Sequence, residues 1–190
     1  MKDFLLSCDG VSKTFQDTIA LNKASIDLYS GEILAILGPS GCGKSTLLRA
    51  IAGFEYIDEG TITINPKVVS SKDIFIPPEK RKVGMVFQDY ALFPHLTVGS
   101  NVGFGIDLHS VTDKKALVLE MLKLVDLQGM DDRYPHELSG GQQQRVAVAR
   151  TLATNPVTVL LDEPFSNLDA TMRTEIRNTV RKALQGRDVA

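Results

Sequence analysis

GPSGCGKST, from Gly38 to Thr46, is the stretch that decides the fold of this 190-residue chain. It matches the pattern G-x-x-x-x-G-K-[ST], in which a glycine-rich loop holds phosphate groups. An apolar run at residues 32–37 precedes the loop, and apolar residues at helical spacing follow it over residues 44–52. The motif requires a strand before it and a helix after it, and the sequence predicts both. We therefore predict a phosphate-binding loop between a buried strand and a helix.

The chemistry of this loop predicts a nucleoside triphosphate with Mg²⁺ as its ligand. Glycines allow backbone N–H groups to turn toward phosphate oxygens, and the following helix directs its positive end at them. Lys44 can reach the β- and γ-phosphates, and the Ser45 hydroxyl is a ligand for Mg²⁺. The motif by itself does not distinguish a kinase, a GTPase, a motor or a transporter. The loop residues predicted to bind the cofactor are Gly38, Ser40, Gly41, Cys42, Gly43, Lys44, Ser45 and Thr46.

A second part of the predicted site is the apolar run 158–161, which is followed by Asp162 and Glu163. In open α/β sheets, ligands bind at the carboxyl ends of the strands. Asp162 is therefore placed to hold Mg²⁺ through water, and Glu163 to polarise an attacking water molecule as general base. Taken alone, such an acidic pair is common at solvated turns. The phosphate loop in the same chain favours the functional interpretation.

Strand and helix patterns alternate at both ends of the chain, which predicts an α/β fold with a parallel sheet. The predicted strands cover residues 20–28, 32–37, 61–64, 83–87 and 157–161. Residues 88–156 are mostly helical in pattern. We predict a single domain over residues 1–190, with its core at 1–87 and 157–190 and a helical subdomain at 88–156.

Four helices are predicted, the first over residues 44–52 and ended by Gly53. The second covers residues 112–127, with Thr112 as N-cap and Gly129 after its end. The third covers residues 139–153, and the last follows Asp169. The apolar face of the second helix is predicted to consist of Val118, Met121, Leu122 and Val125.

The most diagnostic stretch is LSGGQ, from Leu138 to Gln142. Ser139 and Gln142 have the spacing of a capping box at a helix start. An ordinary capped helix explains these two residues but not Gly140 and Gly141 between them, because each glycine in a helix costs about 1 kcal/mol. The two glycines leave backbone N–H groups accessible. We therefore predict a second anion site, separate from the phosphate loop.

With these motifs, the chain resembles the nucleotide-binding domain of ABC transporters. In that family the phosphate loop, the LSGGQ signature and a strand ending in Asp-Glu occur in this order, and the resemblance runs from about Leu5 to the last residue. It implies a P-loop NTPase fold of the RecA-like type and a transport-coupled ATPase. It also implies a head-to-tail homodimer with two ATP molecules in the two-fold interface.

Family motifs are carried over only to the residues that match them. Phe15 resembles the aromatic residue that stacks on adenine, although a core aromatic is the alternative. Gln88 resembles the glutamine that contacts Mg²⁺ and senses the membrane partner. Residues 166–169 resemble the loop that touches the other subunit of the dimer. The resemblance thus implies that the catalytic residues are Lys44, Gln88 and Glu163, and that the metal-binding residues are Ser45, Gln88 and Asp162. It also implies that the signature closes on the γ-phosphate held by the other subunit through Ser139, Gly140, Gly141 and Gln142.

Two further stretches resemble bacterial importers, residues 92–98 and residues 134–137. Ferric-iron importers are the nearest type, followed by maltose, polyamine and sulfate importers. The resemblance implies integral membrane permease subunits, a periplasmic or extracellular solute-binding protein, and a peripheral location at the cytoplasmic face of the cell membrane. The sequence itself carries no direct information on the solute, because no residue of such a subunit touches it.

Composition limits the partners. The net charge of −2 gives no basic footprint for nucleic acid, which we exclude as a partner. The two cysteines, Cys8 and Cys42, are not a disulfide framework. No stretch has the roughly 20 apolar residues of a membrane-spanning helix, so other subunits are expected to supply the membrane part. The three histidines, His95, His109 and His136, do not have the spacing of a zinc site.

One departure from the family pattern concerns the end of the chain. Family members continue past the dimer loop with a strand that ends in a histidine contacting the γ-phosphate. Here no histidine follows residue 169. We therefore expect a fragment or a truncated product, in which ATP binding is retained and turnover is impaired.

Two rival functions compete with the transport interpretation. A soluble ABC ATPase of DNA repair or translation would share the three motifs, but repair types carry a long coiled coil and translation types carry two domains. A P-loop kinase or GTPase would share only the phosphate loop, and the signature argues against both. A GTPase is expected to contain N-K-x-D, and the candidate stretch 22–25 reads NKAS, without the aspartate.

Overall fold

The structure, a computed structural model, describes residues 4–107 and 113–164 and the single helical positions Thr174, Asn178 and Arg181. The described residues form two compact units. The first contains residues 4–83 and 157–162, and the second contains residues 84–107, 113–156 and 163–164 with the three single positions. The predicted division into a core and a helical subdomain at 88–156 stays a proposal.

An antiparallel sheet of four strands forms most of the first unit. Its strands are β1 (Phe4–Phe15), β2 (Thr18–Tyr29), β3 (Glu59–Ile64) and β4 (Lys67–Ser70), in the order β2-β1-β3-β4. Every second residue of β1 faces the core near its start, so that Leu6 and Cys8 are buried. Strands β2 and β3 were predicted from their patterns, whereas β1 and β4 were not. The sheet holds the end of β1, and with it Phe15, beside the turn to β2.

Helix α1 (Lys44–Ala52) follows the phosphate loop and has the predicted bounds. Gly53 ends it with φ 90°, and its N–H donates to the carbonyls of Arg49 and Ala50. The buried guanidinium of Arg81 donates to the Ala50 and Ile51 carbonyls at 2.7 and 2.9 Å. These carbonyls lie in the last turn, after which no further turn of the helix follows to supply N–H donors. Burial lowers the pKa of Arg81 to about 10.

The predicted strand at residues 32–37 is wrong in this structure. Residues 32–39 have no regular secondary structure, and the Leu37 side chain is 90% exposed. A strand exists only where a neighbouring backbone pairs with it. Among the described residues no strand pairs with this segment; Glu32 N–H donates to the Tyr29 carbonyl at 3.0 Å and closes a turn. The segment has the apolar composition of a strand, but composition does not specify which backbone pairs with it.

Two further strands have nearly their predicted positions, β5 (Val83–Val86) and β6 (Thr158–Leu161). The first strand starts at the boundary of the units, and the second belongs to the first unit. β6 leads directly into Asp162 and Glu163. The acidic pair therefore follows the end of a strand, as predicted.

Helices dominate the second unit. They are α2 (Val98–Gly103), α3 (Lys114–Leu124) and α4 (Gly140–Ala153). The N-cap of α3 is Asp113, whose carboxylate accepts from the Ala116 N–H at 2.9 Å, and not the predicted Thr112, which lies outside the described residues. The predicted apolar face of α3 is buried. The helix ends at Leu124, three residues before the predicted end, with Val125 as C-cap.

Two predictions fall partly or wholly outside the described residues. The helix after Asp169 is described only at Thr174, Asn178 and Arg181, which are helical, and the predicted dimer loop 166–169 is not described. Within the described part of the chain, none of the helices combines the length and the hydropathy needed to cross a membrane.

Candidate nucleotide site

The phosphate loop ends at Gly43, the N-cap of α1. Gly43 has φ 95°, in the left-handed region, and a Cβ there would lie 2.2 Å from the Ala20 carbonyl oxygen. Only glycine fits this position. No side chain caps the helix, and its first turn contains no acidic residue. The N–H groups of the first turn are therefore available for an anion from outside the helix.

Lys44 is the first residue of α1, and its side chain folds back over the loop. The ammonium donates to the Gly38 and Pro39 carbonyls at 3.0 and 2.9 Å and lies 3.8 Å from the Cys42 sulfur. The cation thus stands at the rim of the loop. The remaining predicted loop residues differ in exposure: the exposed ones are Ser40, Gly41 and Cys42, and Thr46 on α1 is half-buried.

A hydroxyl and a carboxylate meet beneath the loop. Ser45 Oγ donates to Asp162 Oδ1 at 2.7 Å, and Asp162 is only 5% exposed. These residues are 117 positions apart in the sequence, and α1 and β6 bring them together. Oxygen atoms of hydroxyl and carboxylate groups are the ligands that Mg²⁺ prefers, so the pair fits this ion. Gln88, the third predicted ligand, belongs to the second unit and is exposed.

Phe15 lies at the end of β1, and its side chain is 43% exposed. This exposure excludes the alternative of a core aromatic. The Lys13 ammonium lies 5.1 Å from the centroid of the ring and also forms ion pairs with Glu55 at 3.2 Å and Asp58 at 3.5 Å. Asp58 accepts in addition from the Thr14 N–H at 2.7 Å. The backbone and the cation beside the ring are both fixed by the loop before β3.

The signature forms the start of α4. Ser139 is the N-cap; its hydroxyl accepts from the Gln142 N–H at 3.3 Å, and its own N–H donates to Gln142 Oε1 at 2.9 Å. This is the predicted capping box. A Cβ added to Gly140 would meet nothing within 4 Å, so nothing near it in the described chain requires glycine at this position. Open space over Gly140 is the condition for an external group to approach the helix start.

Gln88 occupies a tight turn that follows β5. The Tyr90 N–H donates to the Phe87 carbonyl at 3.0 Å, which places Gln88 and Asp89 at the two central positions of the turn. Tyr90 and Ala91 have φ of 62° and 45°. The left-handed conformation costs about 1–2 kcal/mol for each residue with a side chain. Contacts from elsewhere must therefore hold this turn.

Arg150, in the last turn of α4, supplies such contacts. Its guanidinium donates to the Ala91 carbonyl at 2.7 Å and to the Tyr90 carbonyl at 3.0 Å, and it lies 5.6 Å from the centre of the Phe93 ring. Burial lowers the pKa of Arg150, and the charge of Asp89 acts in the opposite direction. Burial also raises the pKa of Tyr90. The sequence analysis did not single out Arg150.

A second residue on α4 that the sequence analysis missed is Gln144. It is fully buried, its Nε2 donates to the Pro164 carbonyl, and its Oε1 has no partner among the described residues. Pro164 follows Glu163, which has φ 47°. The available signal was a polar residue within a buried helical face, since Gly141, Val148 and Leu152 around it are buried as well.

The model of the family described as ABC transporter matches residues 21–166 of this chain. The chain belongs to the ABC transporter family. The resemblance that the three motifs indicated is therefore confirmed. The matched range includes the phosphate loop, Gln88, the signature and the Asp162–Glu163 pair.

Several curated relatives match over most of the chain. A spermidine/putrescine import ATP-binding protein of Oleidesulfovibrio alaskensis is 46% identical over 182 residues, which are 95% of this chain and 48% of that protein. A sulfate/thiosulfate import ATP-binding protein of Synechocystis is 50% identical, over 92% of this chain and 48% of that protein. An Fe(3+) ions import ATP-binding protein of Fusobacterium nucleatum is 46% identical, over 93% and 47%. The chain spans about half the length of these relatives.

Solved ABC cassettes share the fold. A dimeric ATP-binding cassette bound to ADP and Pi, in a post-hydrolysis state, matches with a TM-score of 0.82 and 31% identity over 97% of this chain and 85% of that one. A nucleotide-free cassette from an ABC transporter matches with a TM-score of 0.84 and 27% identity over 98% and 79%. These matches confirm the predicted fold class, a P-loop NTPase of mixed α/β type.

Proposed function

We propose that this chain binds ATP with Mg²⁺, pairs with a second copy, and hydrolyses the ATP to drive import of a solute through membrane subunits. The observation that carries the proposal is the contact between Ser45 and Asp162 at the phosphate loop. It supplies two oxygen ligands next to an uncapped helix start. Each of the relatives described above is named an import ATP-binding protein, which supports the importer type over a role in DNA repair or translation.

Binding begins at the start of α1. When ATP binds, the Lys44 ammonium leaves the Gly38 and Pro39 carbonyls to which it now donates and turns to the β- and γ-phosphates. The backbone N–H groups of the first turn of α1 donate to the same oxygens. Phe15 offers its exposed ring to the base.

Ser45 and Asp162, which are in contact, would hold a magnesium ion. The family resemblance implies Gln88 as a further ligand. The ion, when bound, neutralises phosphate charge and orients the γ-phosphate. Asp162 is almost fully buried, so its carboxylate is held in one place by packing. Ser45 is fixed at the second residue of α1, which links its position to that of the phosphate loop.

Hydrolysis needs a water molecule in line with the γ-phosphate. Glu163 accepts a proton from this water. The water oxygen then bonds to the γ-phosphorus, and the bond between the γ-phosphorus and the bridging oxygen breaks to release ADP. Lys44 stabilises the negative charge on the transferring group. In this proposal Glu163, Lys44 and Gln88 are the catalytic residues.

The signature acts on a second copy of the chain. Its open side at Gly140 suits the γ-phosphate of an ATP molecule held by the partner's phosphate loop. The similar cassette solved as a dimer supports this arrangement. Membrane permease subunits and an external solute-binding protein complete the proposed system, and the chain works at the cytoplasmic face of the membrane. Ferric iron is the first solute to test, followed by polyamines and sulfate, whose importers match equally well.

The decisive experiment compares ATP binding with and without Mg²⁺ by calorimetry. Asp162→Asn is expected to weaken binding in the presence of Mg²⁺ at least about tenfold and to change metal-free binding less than about threefold. Asp73→Asn, at an exposed position, serves as the matched control. An Asp162→Asn variant that binds ATP like the wild type in Mg²⁺ would refute the proposed metal site. Absence of ATP binding by the wild type would refute the proposal as a whole.

A further inference from the structure

Arg150 and the turn after β5 are 59 and 60 positions apart in the sequence, yet they are joined by two hydrogen bonds. Both bonds go to main-chain carbonyls, those of Tyr90 and Ala91. A guanidinium donates in a fixed planar fork, so two bonds to consecutive residues define the direction of the backbone there. The contact therefore fixes the backbone direction at Tyr90 and Ala91, in addition to holding these residues near α4.

The two carbonyls belong to the residues with left-handed conformation. Tyr90 and Ala91 have φ of 62° and 45°, and neither is a glycine. Such a pair relaxes to ordinary conformations unless neighbouring contacts oppose it. The Phe93 ring packs near the guanidinium, at 5.6 Å, and adds a cation–π contact on the same side. Arg150 is thus placed to oppose the relaxation.

Residues 93–97, which follow the turn, are held by contacts that do not involve Arg150. The buried side chain of Asn101, on α2, accepts from the Phe93 N–H at 2.9 Å and donates to the carbonyls of Phe93, Leu96 and Thr97, each at 3.0 Å. With residues 93–97 anchored by Asn101, a change at Arg150 affects mainly residues 88–91. The turn closed by the Tyr90 N–H bond to Phe87 is the part that depends on the arginine.

We propose that Arg150 is a positioning residue for Gln88. It holds the turn from Phe87 to Tyr90 in one conformation and so fixes the backbone that carries the Gln88 side chain. The proposal rests on the function proposed above, in which Gln88 serves the magnesium ion and the water. Since Arg150 and the signature lie on the same helix, α4 connects the LSGGQ motif to Gln88 within one subunit.

The first test uses the protein without nucleotide. In Arg150→Met, the Tyr90 amide is expected to exchange hydrogen at least about tenfold faster than in the wild type, because its turn is released. Arg145→Met is the matched control, since Arg145 lies on the same helix and donates to the Val125 carbonyl, outside the turn. Arg150→Lys, which keeps the charge but not the fork, is expected to lie between the two. Equal exchange in wild type and Arg150→Met would overturn the proposal.

The second test is a double-mutant cycle on ATP hydrolysis. Arg150→Met is expected to lower kcat at least about tenfold with a change in KM below about threefold. In a Gln88→Ala background the same change is expected to lower kcat less than about twofold further, because the residue that it positions is gone. Losses that simply multiply would show a general structural role and contradict the proposal. Wild-type turnover by Gln88→Ala would remove the role of Gln88 and overturn it too.

The failure of the underlying function has a different signature. If Lys44→Ala binds ATP as tightly as the wild type, the nucleotide site proposed above is wrong, whatever the exchange rate at Tyr90. If Lys44→Ala loses affinity while Arg150→Met changes neither exchange nor kcat, the nucleotide site stands and the role of Arg150 is wrong.

Discussion

Two helices of this protein begin at glycine-rich motifs, and their first turns are built in opposite ways. Helix α1 starts at Gly43, which has left-handed backbone and provides no side-chain cap. Helix α4 starts at Ser139, with a complete capping box formed by the Ser139 and Gln142 side chains. In α1 the glycine is required by the fold, because a Cβ at Gly43 would meet the Ala20 carbonyl. At Gly140 a Cβ would meet none of the described residues within 4 Å.

The difference separates two reasons for keeping a glycine. At Gly43 the reason is internal, since the chain could not follow its path with another residue. At Gly140 we infer an external reason, because no described residue would obstruct a Cβ there. The capping box of α4 uses the N–H groups of Ser139 and Gln142 and leaves out those of the two glycines between them. The start of α4 is therefore capped by its own side chains, and the capping box does not use the N–H groups of Gly140 and Gly141.

The largest expected effect is on pairing of two subunits through α4. In a Glu163→Gln background, in which ATP is bound but not hydrolysed, ATP is expected to drive dimerisation. Adding Ser139→Arg is expected to weaken the dimer at least about hundredfold, or 2.7 kcal/mol, because it removes the cap and fills the open side of Gly140. Light scattering with and without ATP measures this. Ala116→Arg, at an exposed position of α3, controls for the added charge; equal dimer in both variants would break the comparison.

The next effect compares the two glycines directly. Gly43→Ala is expected to lower the free energy of unfolding by about 2 kcal/mol or more, from the left-handed backbone and the contact with a main-chain carbonyl. Gly140→Ala is expected to raise it by about 0.5–1 kcal/mol, because alanine is the better helix former. Urea denaturation of both variants gives the two values. Destabilisation of similar size in both would show that Gly140 is needed for folding after all.

The phosphate loop gives an intermediate effect. Lys44→Ala is expected to weaken ATP binding about tenfold, equivalent to roughly 1.4 kcal/mol, because Lys44 is the only cationic side chain in the loop. Isothermal titration measures the affinity. Lys80→Ala, at an exposed position outside the loop, is the control. Loss of affinity in the control but not in Lys44→Ala would place the phosphates elsewhere.

The smallest effect concerns the cap of α4. Ser139→Ala is expected to lower the free energy of unfolding by about 1 kcal/mol, since the Gln142 N–H loses its acceptor. ATP binding to the isolated subunit is expected to change less than about twofold, because the phosphate loop provides it. Denaturation and titration of the same variant separate the two roles. A large loss of ATP affinity in Ser139→Ala would mean that the signature acts within its own subunit.

Local signals predicted the two helix starts well. The bounds of α1, its end at Gly53 and the capping box from Ser139 to Gln142 depend on residues within a few positions of one another. The sequence therefore contains all the information needed for them. The N-cap of α3 was misplaced by one residue. Thr112 and Asp113 are both residue types that cap helices, so residue type could not decide between them, and in the structure the cap is Asp113.

Features that depend on distant partners were not predictable in the same way. Residues 32–37 have the composition of a buried strand, but pairing decides whether a strand forms. Strand β1 was missed because its alternation is interrupted, with register shifts against β2 between Phe4 and Leu6 and between Cys8 and Val11. The contact of Arg150 with the turn after Gln88 joins segments about 60 positions apart, and no local pattern signals it.

If Phe15 stacks on the nucleotide base, as we propose, its ring limits how strongly the protein can select one nucleotide over another. A phenyl ring has neither donor nor acceptor, so it recognises a base by its flat face, which guanine offers as well as adenine. The Lys13 ammonium lies beside the same ring and forms ion pairs with Glu55 and Asp58. We expect GTP to bind within about tenfold of ATP when both are titrated in Mg²⁺. Under the proposed function, such weak discrimination would leave the abundance of each nucleotide in the cell to decide which one is bound.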